Sequence, residues 1–198
     1  MTRAELKALA KKQLGGGIFQ SAWLMALVAC LIVTAINGVA GSFVVGALIV
    51  FGPLSYGLSY VFLKQARDNQ PMELGDVFKG FSDDFGGTLL LGLLQTLFII
   101  LWSLLFVIPG IVKSYAYAMA FYIKVDNPSF GWSECLKASN AMMKGHKMEL
   151  FVLDLSFLGW YIVGSLCLGV GTLWVAPYHN ATHAQYYRAL ASSANMDG

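Results

Sequence analysis

The chain has 198 residues, of which 57% are hydrophobic and 12% are charged, and its formal net charge is +2. Soluble domains usually carry about 25% charged residues, so this composition argues against a water-soluble domain. The basic residues are not gathered into a patch, which argues against a nucleic-acid partner. The three cysteines, Cys30, Cys135 and Cys167, are scattered and contain no CxxC pair. We therefore expect no disulfide framework, no metal ion and no cofactor.

The first 17 residues have the pattern of a basic amphipathic helix. Arg3, Lys7 and Lys11 recur every four residues and form one cationic stripe. The apolar residues that can face a membrane are Leu6, Leu9, Ala10 and Leu14. This pattern is typical of an interfacial helix that lies on an anionic membrane surface. The alternative is an ordinary positive flank of the first membrane span.

Residues 13–63 contain no Asp, Glu, Lys or Arg, a run long enough for two membrane spans. We place the first span at residues 18–36 and the second at residues 42–63, with a turn at Asn37–Gly38 between them. Pro53 lies inside the second span and predicts a kink. Gly46, Gly52 and Gly57 of the same span allow a neighbouring helix to come close. A cleaved signal peptide is the competing interpretation, but the apolar run is longer than a usual signal core.

Two polar segments interrupt the apolar sequence. In residues 64–85 the apolar side chains fall on one helical face, which predicts an interfacial helix with Phe78 and Phe81 as membrane anchors. Pro71 suits the first turn of that helix. The second polar segment begins near Pro128, and there Trp132 is the predicted anchor of another amphipathic helix.

The remaining apolar segments are residues 87–108, 111–123, 150–168 and 172–190. Turns are predicted at Pro109–Gly110 and near Gly169. The segment 111–123 is short for a span, so it either crosses with the corner included or extends half-way. Residues 191–198 are predicted to be a loose tail.

Prolines and tryptophans recur at similar offsets along the chain. Pro53 and Pro109 mark one pair of equivalent positions, Trp102 and Trp160 mark another, and Pro177 opens a truncated third copy. The predicted fold is an all-α membrane helical bundle of about six spans in three Pro-kinked hairpins. It forms one domain, in which residues 18–190 are the bundle. Since most Lys and Arg residues lie in the two long loops and the basic start, we expect both termini in the cytoplasm.

A few polar residues lie inside the predicted spans. Asp154 sits about one turn inside the fifth span, where it is either a functional carboxylate or an acid at headgroup level paired with Lys144 or Lys147. His179 and His183 are spaced i, i+4 on the last helix, with Asn180 beside them. A pair at this spacing can relay a proton, but a metal site needs further ligands and no HExxH motif is present.

Lys113 is the charged residue nearest to the opposite, outer end of the predicted bundle. It can pair with an anionic lipid headgroup, or it can simply extend its ammonium group outward to the interface. We include it among the possible functional polar residues.

Three motifs of the central stretch are recognisable together: Ile108-Pro109-Gly110, Lys-Gly-His-Lys at 144–147, and Ser-Phe-Leu-Gly-Trp at 156–160. With them the chain resembles a bacterial family of integral membrane proteins, domain-of-unknown-function family 975. The resemblance covers nearly the whole chain. It implies a multi-span protein of the bacterial cytoplasmic membrane and no catalytic residue.

No Walker A, GxSxG, HExxH or paired-carboxylate motif is present, which argues against an enzyme. The favoured interpretation is a non-enzymatic inner-membrane protein that acts through lipid or protein contacts in envelope maintenance, assembly or resistance. Its expected partners are membrane lipids, and either a membrane protein or a second copy of the chain. The alternative is a small transporter or channel component with a polar site between the last two helices.

Overall fold

The computed structural model describes residues 3–15, 21–40, 44–68, 72–166 and 170–196. This part of the chain is all-α and contains no β-strand, as predicted. Its helices are α1 (Arg3–Gln13), α2 (Ser21–Ala40), α3 (Val44–Asp68), α4 (Lys79–Ser82), α5 (Phe85–Leu105), α6 (Val107–Ala116), α7 (Ala120–Asp126), α8 (Trp132–Met142), α9 (Lys147–Leu166) and α10 (Val170–Met196). A 3-10 turn, Leu74–Phe78, precedes α4.

Three pairs of successive helices pack together most extensively: α2 with α3, α5 with α6, and α9 with α10. Helix α3 also contacts α1, α5, α7 and α10, which makes it the centre of the arrangement. Its glycines permit close approach, as the sequence predicts. A Cβ atom at Gly57 would lie 1.7 Å from the carbonyl oxygen of Val77, and one at Gly52 would lie 2.3 Å from that of Thr88. The 3-10 turn and α5 therefore lie directly on the α3 backbone.

Within the described ranges, two helical segments are long and apolar enough to cross a membrane: Phe85–Leu104 and Lys147–Ser165. Only 17% and 22% of their apolar windows are buried inside the protein. The core helix of a soluble protein would be mostly buried, so these exposed apolar surfaces are consistent with membrane association. A shorter apolar helix is Ser21–Asn37.

The corner between α5 and α6 lies at Phe106, three residues earlier than predicted. Phe106 has an extended backbone that ends α5 and caps α6. Pro109 lies in the first turn of α6, where a missing N–H removes no helical hydrogen bond, so the proline starts this helix and does not end the previous one. The corner is strongly apolar and open, since Leu104, Val107 and Ile108 are 83%, 71% and 76% exposed.

Residues 111–123 do not form one helix. Helix α6 ends at Ala116 and α7 begins at Ala120. The buried hydroxyl of Ser139 bridges the break, because it donates to the carbonyl of Ala116 over 2.9 Å and accepts from the N–H of Met119 over 3.2 Å. The buried face of α8 therefore supplies hydrogen bonds to the backbone groups that the break leaves without helical partners.

Three other predicted boundaries differ from the structure. Asn37 does not turn the chain, since its side chain donates to the carbonyl of Val33 and α2 continues to Ala40. The segment expected to be loose from Ala191 is helical as far as Met196. The polar segment 64–85 forms the end of α3, the 3-10 turn and α4, not one interfacial helix. Pro71, Gly169 and the start of the first predicted span lie outside the described residues.

The apolar face of α1 packs inside the protein. Leu6, Ala10 and Leu14 are buried, and α1 lies mainly against α10. Gln13 joins this helix to the others, because its amide nitrogen donates to Gln65 over 3.2 Å and its oxygen accepts from Gln185 over 2.8 Å. The prediction that the apolar stripe of α1 faces a membrane is therefore wrong for these three residues, since α10 already covers them.

Charged side chains pair at one end of the bundle, where α3 and α7 end and α5 begins. The pairs are Lys64–Asp76 at 2.7 Å, Arg67–Asp126 at 2.5 Å and Lys124–Asp84 at 2.6 Å. We call this the polar end. It joins segments far apart in sequence, so it fixes how the helix ends meet.

Lys124 is the most completely bonded charge of the polar end. Its side chain is 4% exposed, and its ammonium group also donates to the carbonyls of Pro128 and Phe130. Lys124, followed by the N–H of Gly87, holds the pKa of Asp84 below its usual range. Asp84 also caps α5 by accepting that N–H over 2.9 Å. Lys124 was not predicted as a site residue, because its local signal is a single cation at the end of an apolar helix.

Candidate functional site

A carboxylate and two imidazoles meet between α9 and α10. Oδ1 of Asp154 lies 3.0 Å from Nε2 of His179 and 2.7 Å from Nε2 of His183. The two histidines are four residues apart and therefore lie on the same face of α10, one turn from each other. Since a carboxylate only accepts hydrogen bonds, both Nε2 atoms carry a hydrogen in this arrangement. We call these three residues the Asp–His–His cluster.

Aromatic rings hold the imidazoles in place. The two histidine rings lie 4.4 Å apart between centroids, and the edge of the Phe157 ring meets His179 at 5.0 Å. Tyr161 approaches His179 from the next turn of α9 at 5.9 Å. These contacts restrict ring rotation and so keep the Nε2 atoms directed at one oxygen.

The cluster is only partly enclosed. The side chains of His183, Asp154 and His179 are 17%, 23% and 24% exposed. The hydroxyl of Tyr115, on α6, interacts with the same carboxylate. The carboxylate is therefore not fully enclosed by protein groups.

A cation from α1 lies beside the cluster. The ammonium group of Lys7 lies 4.3 Å above the Phe157 ring, and the carbonyl of Lys7 accepts a hydrogen bond of 3.3 Å from Tyr178. These two contacts fix the amino-terminal helix next to the middle of α9 and α10. The predicted cationic stripe of α1 thus has one member directed at the candidate site.

Comparison with known proteins identifies the family but no activity. The family described as "Protein of unknown function (DUF975)" matches residues 1–113 and 104–194. The chain belongs to this family. No curated protein and no solved structure matches it. The resemblance predicted from the sequence is thereby confirmed, and the function of this family member has to be argued from its own side chains.

The structure brings together three of the predicted polar residues. The alternative function already placed a polar site between the last two helices. The direct contact of Asp154 with the His179–His183 pair was not predicted, because Asp154 lies on a different helix, 25 to 29 residues away. Asp154 pairs with the two histidines and not with Lys144 or Lys147. Lys147 is the first residue of α9, and Lys144 precedes that helix. One oxygen and two ring nitrogens, all within 4.8 Å of one another, can hold a proton or a metal ion.

The other two predicted polar residues lie apart from the cluster. The amide of Asn180 donates to the carbonyl of Ala176 over 3.0 Å, and it lies 3.6 Å from the sulfur of Cys30. The ammonium group of Lys113 lies 5.1 Å from the Trp102 ring. Asn180 therefore helps to pack α10 against α2, and Lys113 makes a cation–π contact.

The predicted membrane anchors divide into two groups. Phe78 and Phe81 are exposed and stand 6.4 Å apart, and Phe85 continues the row with a ring 5.9 Å from Phe81. We call these three rings the phenylalanine row. Trp132 packs against the core and lines a cavity of about 360 Å³ beside Phe98. Of the predicted anchors, Phe78 and Phe81 are thus exposed and Trp132 is not.

Proposed function

We propose that this chain is a multi-pass protein of the bacterial cytoplasmic membrane with six spans: α2, α3, α5, the interrupted pair α6 and α7, α9 and α10. The exposed apolar surfaces of α5 and α9 and the three packed helix pairs support this arrangement. The apolar corner around Phe106 supports it too, because a patch this open is unfavourable in water.

The proposed orientation puts the polar end and both termini on the cytoplasmic side. Lys64, Arg67 and Lys124 belong to the polar end. The sequence from residue 85 to residue 123, which contains the opposite corner at Phe106, has Lys113 as its one charged residue. This asymmetry follows the positive-inside rule. The helix order supports the same orientation, since α3 and α7 end at the polar end and α5 begins there.

Within this arrangement we propose that the protein is a component of a cation transporter or channel. The observation that carries the proposal is the Asp–His–His cluster, in which one carboxylate oxygen is shared by two imidazoles inside apolar helices. A carboxylate is costly within a span, and such residues usually line ion or proton pathways. The negative charge of Asp154 and the polar ring nitrogens suit a cation and not an anion.

The interruption between α6 and α7 supports the same function. Transporter sites are often built from broken helices, whose freed backbone groups are satisfied by neighbouring side chains. Here Ser139 provides that bridge. Tyr115 lies just before the break and reaches Asp154, so the broken helix is connected to the cluster.

Water access to α10 tests this function. In a variant whose three native cysteines are replaced by alanine, Ala176→Cys places a thiol on the histidine-bearing face of α10, about one turn from His179. We expect it to react with a soluble maleimide in intact membranes, because thiolates form only where water can enter. Leu158→Cys is the matched control, since Leu158 is exposed on the outer face of α9 and would face lipid.

The expected result is labelling of Ala176→Cys and none of Leu158→Cys, with both thiols labelled after denaturation in detergent. If the thiol at 176 reacts only after denaturation, water does not reach the cluster and the transport function is overturned. An exposed cysteine in the turn before α9, Lys144→Cys, reports the full labelling rate.

The phenylalanine row supports a second candidate function, action through lipid or protein contacts. Three exposed rings in one line, next to the cations of the polar end, form a surface that fits a membrane interface or a partner helix. This candidate needs no ion pathway. It also agrees with the lack of a reaction motif in the sequence.

Complementation separates the two candidates. In a strain that lacks the gene, alanine at Phe78 and Phe81 should impair rescue more than Asp154→Asn or His183→Gln if contacts are the function. We expect the opposite ranking if the transport function holds. Protein levels in the membrane fraction have to be equal for the comparison, which immunoblotting verifies.

A further inference from the structure

We propose that the Asp–His–His cluster binds a divalent transition metal, with Zn²⁺ as its representative. The proposal rests on the proposed transport function and names the class of cation that the site takes. Two histidines at i, i+4 on one helical face are an established arrangement of zinc ligands. The sequence offered only that pair, and the structure adds the carboxylate of Asp154 as a third ligand.

The distances fit a small metal ion after a slight expansion. Zinc bonds to imidazole nitrogen and to carboxylate oxygen are about 2.0 to 2.2 Å, so two ligand atoms of a tetrahedral site lie roughly 3.4 Å apart. The two nitrogens lie 3.0 and 2.7 Å from the Asp154 oxygen, and the three atoms are all within 4.8 Å of one another. Shifts of less than about 1 Å at side-chain ends therefore create the coordination distances.

The donor set also fits the chemistry of the ion. Two neutral imidazoles and one carboxylate leave a fourth position open, as in zinc sites that exchange ligands and not in closed structural sites. The carboxylate supplies one negative charge against the double positive charge of the metal. Mg²⁺ and Ca²⁺ prefer oxygen ligands, so the two nitrogens select against them.

Metal binding requires a defined proton movement. Each Nε2 atom now donates its hydrogen to Asp154, and coordination needs the lone pair of that nitrogen instead. A neutral ring transfers the proton from Nε2 to Nδ1, and a positively charged ring releases one proton to water. The carboxylate exchanges two hydrogen bonds for one metal bond, and no oxidant or reductant takes part.

The positive charge of Lys7 affects how tightly the cluster binds a metal ion. Its ammonium group is held over Phe157 and interacts electrostatically with His179, so it repels a divalent ion at the cluster. Tyr115 and Tyr161 are the other ionisable groups that interact with Asp154. We therefore expect Lys7→Gln to tighten zinc binding, since it removes the nearby positive charge and keeps a polar side chain.

Zinc titration of the purified chain tests the proposal directly. After removal of any affinity tag, the protein in detergent is dialysed against Zn²⁺, and the bound metal is measured by mass spectrometry. We expect one ion per chain, with at least a tenfold loss of affinity in Asp154→Asn, His179→Gln and His183→Gln. His146→Gln is the matched control, because His146 is the third histidine and pairs with Glu149 outside the cluster.

Cobalt(II) supplies a spectroscopic check, because a site with nitrogen and oxygen ligands gives visible absorption that the cluster variants should lose. Elution volume and helical circular dichroism establish that each variant is folded. Absence of stoichiometric zinc, or equal binding by the folded His183→Gln variant, overturns the metal proposal.

The metal proposal and the transport function fail in different experiments. Zinc binding without maleimide labelling of Ala176→Cys means a sealed metal site, which supports the metal proposal and overturns the transport function. Labelling without zinc binding overturns the metal proposal and leaves the transport function standing.

Discussion

Two charged clusters of this protein use their hydrogen-bonding capacity in opposite ways. At the polar end, the ammonium group of Lys124 has three hydrogens and meets three acceptors: Asp84, Pro128 and Phe130. In the Asp–His–His cluster, two donors converge on the single oxygen Oδ1 of Asp154. In the first arrangement, acceptors of the protein itself use all three hydrogens of the ammonium group. The second arrangement brings two ring nitrogens and one carboxylate oxygen close together.

This difference separates a structural charge from a candidate functional one. Lys124 is almost completely buried, and each of its bonds ties a loop or a helix end to α7. No hydrogen of the Lys124 ammonium group is left to bind a ligand. The Asp154 carboxylate is partly exposed, and its two ring partners can release it while their rings stay in place. We therefore expect substitutions at Lys124 to act on stability, and substitutions at the cluster to act mainly on ion binding.

The largest loss of stability is expected for Lys124→Met. The change leaves the carbonyls of Pro128 and Phe130 without their donor and Asp84 without its partner. Removal of one member of a fully buried ion pair costs about 3 to 5 kcal/mol. We expect about 2 kcal/mol here, because the Asp84 side chain is 43% exposed and water compensates part of the loss. Thermal unfolding in detergent should then shift Tm down by roughly 4 to 8 °C.

The control for this change is Lys144→Met, which removes an exposed cation from the turn after α8. Its effect on the free energy of unfolding should stay within about 0.5 kcal/mol. Equal losses for the two variants would contradict the structural role of Lys124.

A smaller loss is expected for His183→Ala. Asp154 keeps the hydrogen bond from His179, so the free energy of unfolding should fall by about 1 kcal/mol, the net value of one hydrogen bond. The double variant His179→Ala/His183→Ala removes both ring donors. Its loss should exceed the sum of the two single losses, because only then does the carboxylate lose both histidines. Additive losses in the same unfolding assay would show that the two histidines do not share one oxygen.

The last expected effect is a change in how stability depends on pH, and Asp84→Asn reveals it. The folded pKa of Asp84 lies below its unfolded value of about 3.9, so its contribution to stability is complete above that pH. The contribution is lost as the pH falls through the folded pKa. The Asn side chain can still cap α5, but it has no ionisable group. The slope of Tm against pH below about 4 should therefore be smaller in Asp84→Asn than in the wild type.

Unfolding measured between pH 3 and pH 6 checks this prediction. The wild-type and Asp84→Asn curves should differ by a constant amount above pH 5 and converge as the pH falls. Parallel curves over the whole range would mean that Lys124 does not perturb Asp84.

Several features of the fold were predictable from local sequence. The all-α class, the basic helix at the start and the close approaches at Gly52 and Gly57 all follow from composition, charge spacing and glycine placement. The turn positions were less predictable. Pro109 indicates a helix boundary but does not say on which side of it the corner lies, and Asn37 can either turn a chain or bond within a helix.

The candidate site was only half predictable. The spacing of His179 and His183 places them on one face, since the geometry of a helix relates residues four apart. That Asp154 is their partner depends on how α9 rotates against α10, which no local pattern records. The same holds for Ser139, whose role depends on a helix break in another segment.

The order of residues is enough to establish that the chain is helical, strongly apolar and a member of family DUF975, because composition, periodicity and family motifs are local properties. The packing of the helices was needed to establish that an isolated acid and a histidine pair form one cluster, and that Lys124 is a fully hydrogen-bonded structural charge. The physical reason is that hydrogen bonds and coordination act over about 3 Å, and contacts at that range between different helices are set by packing.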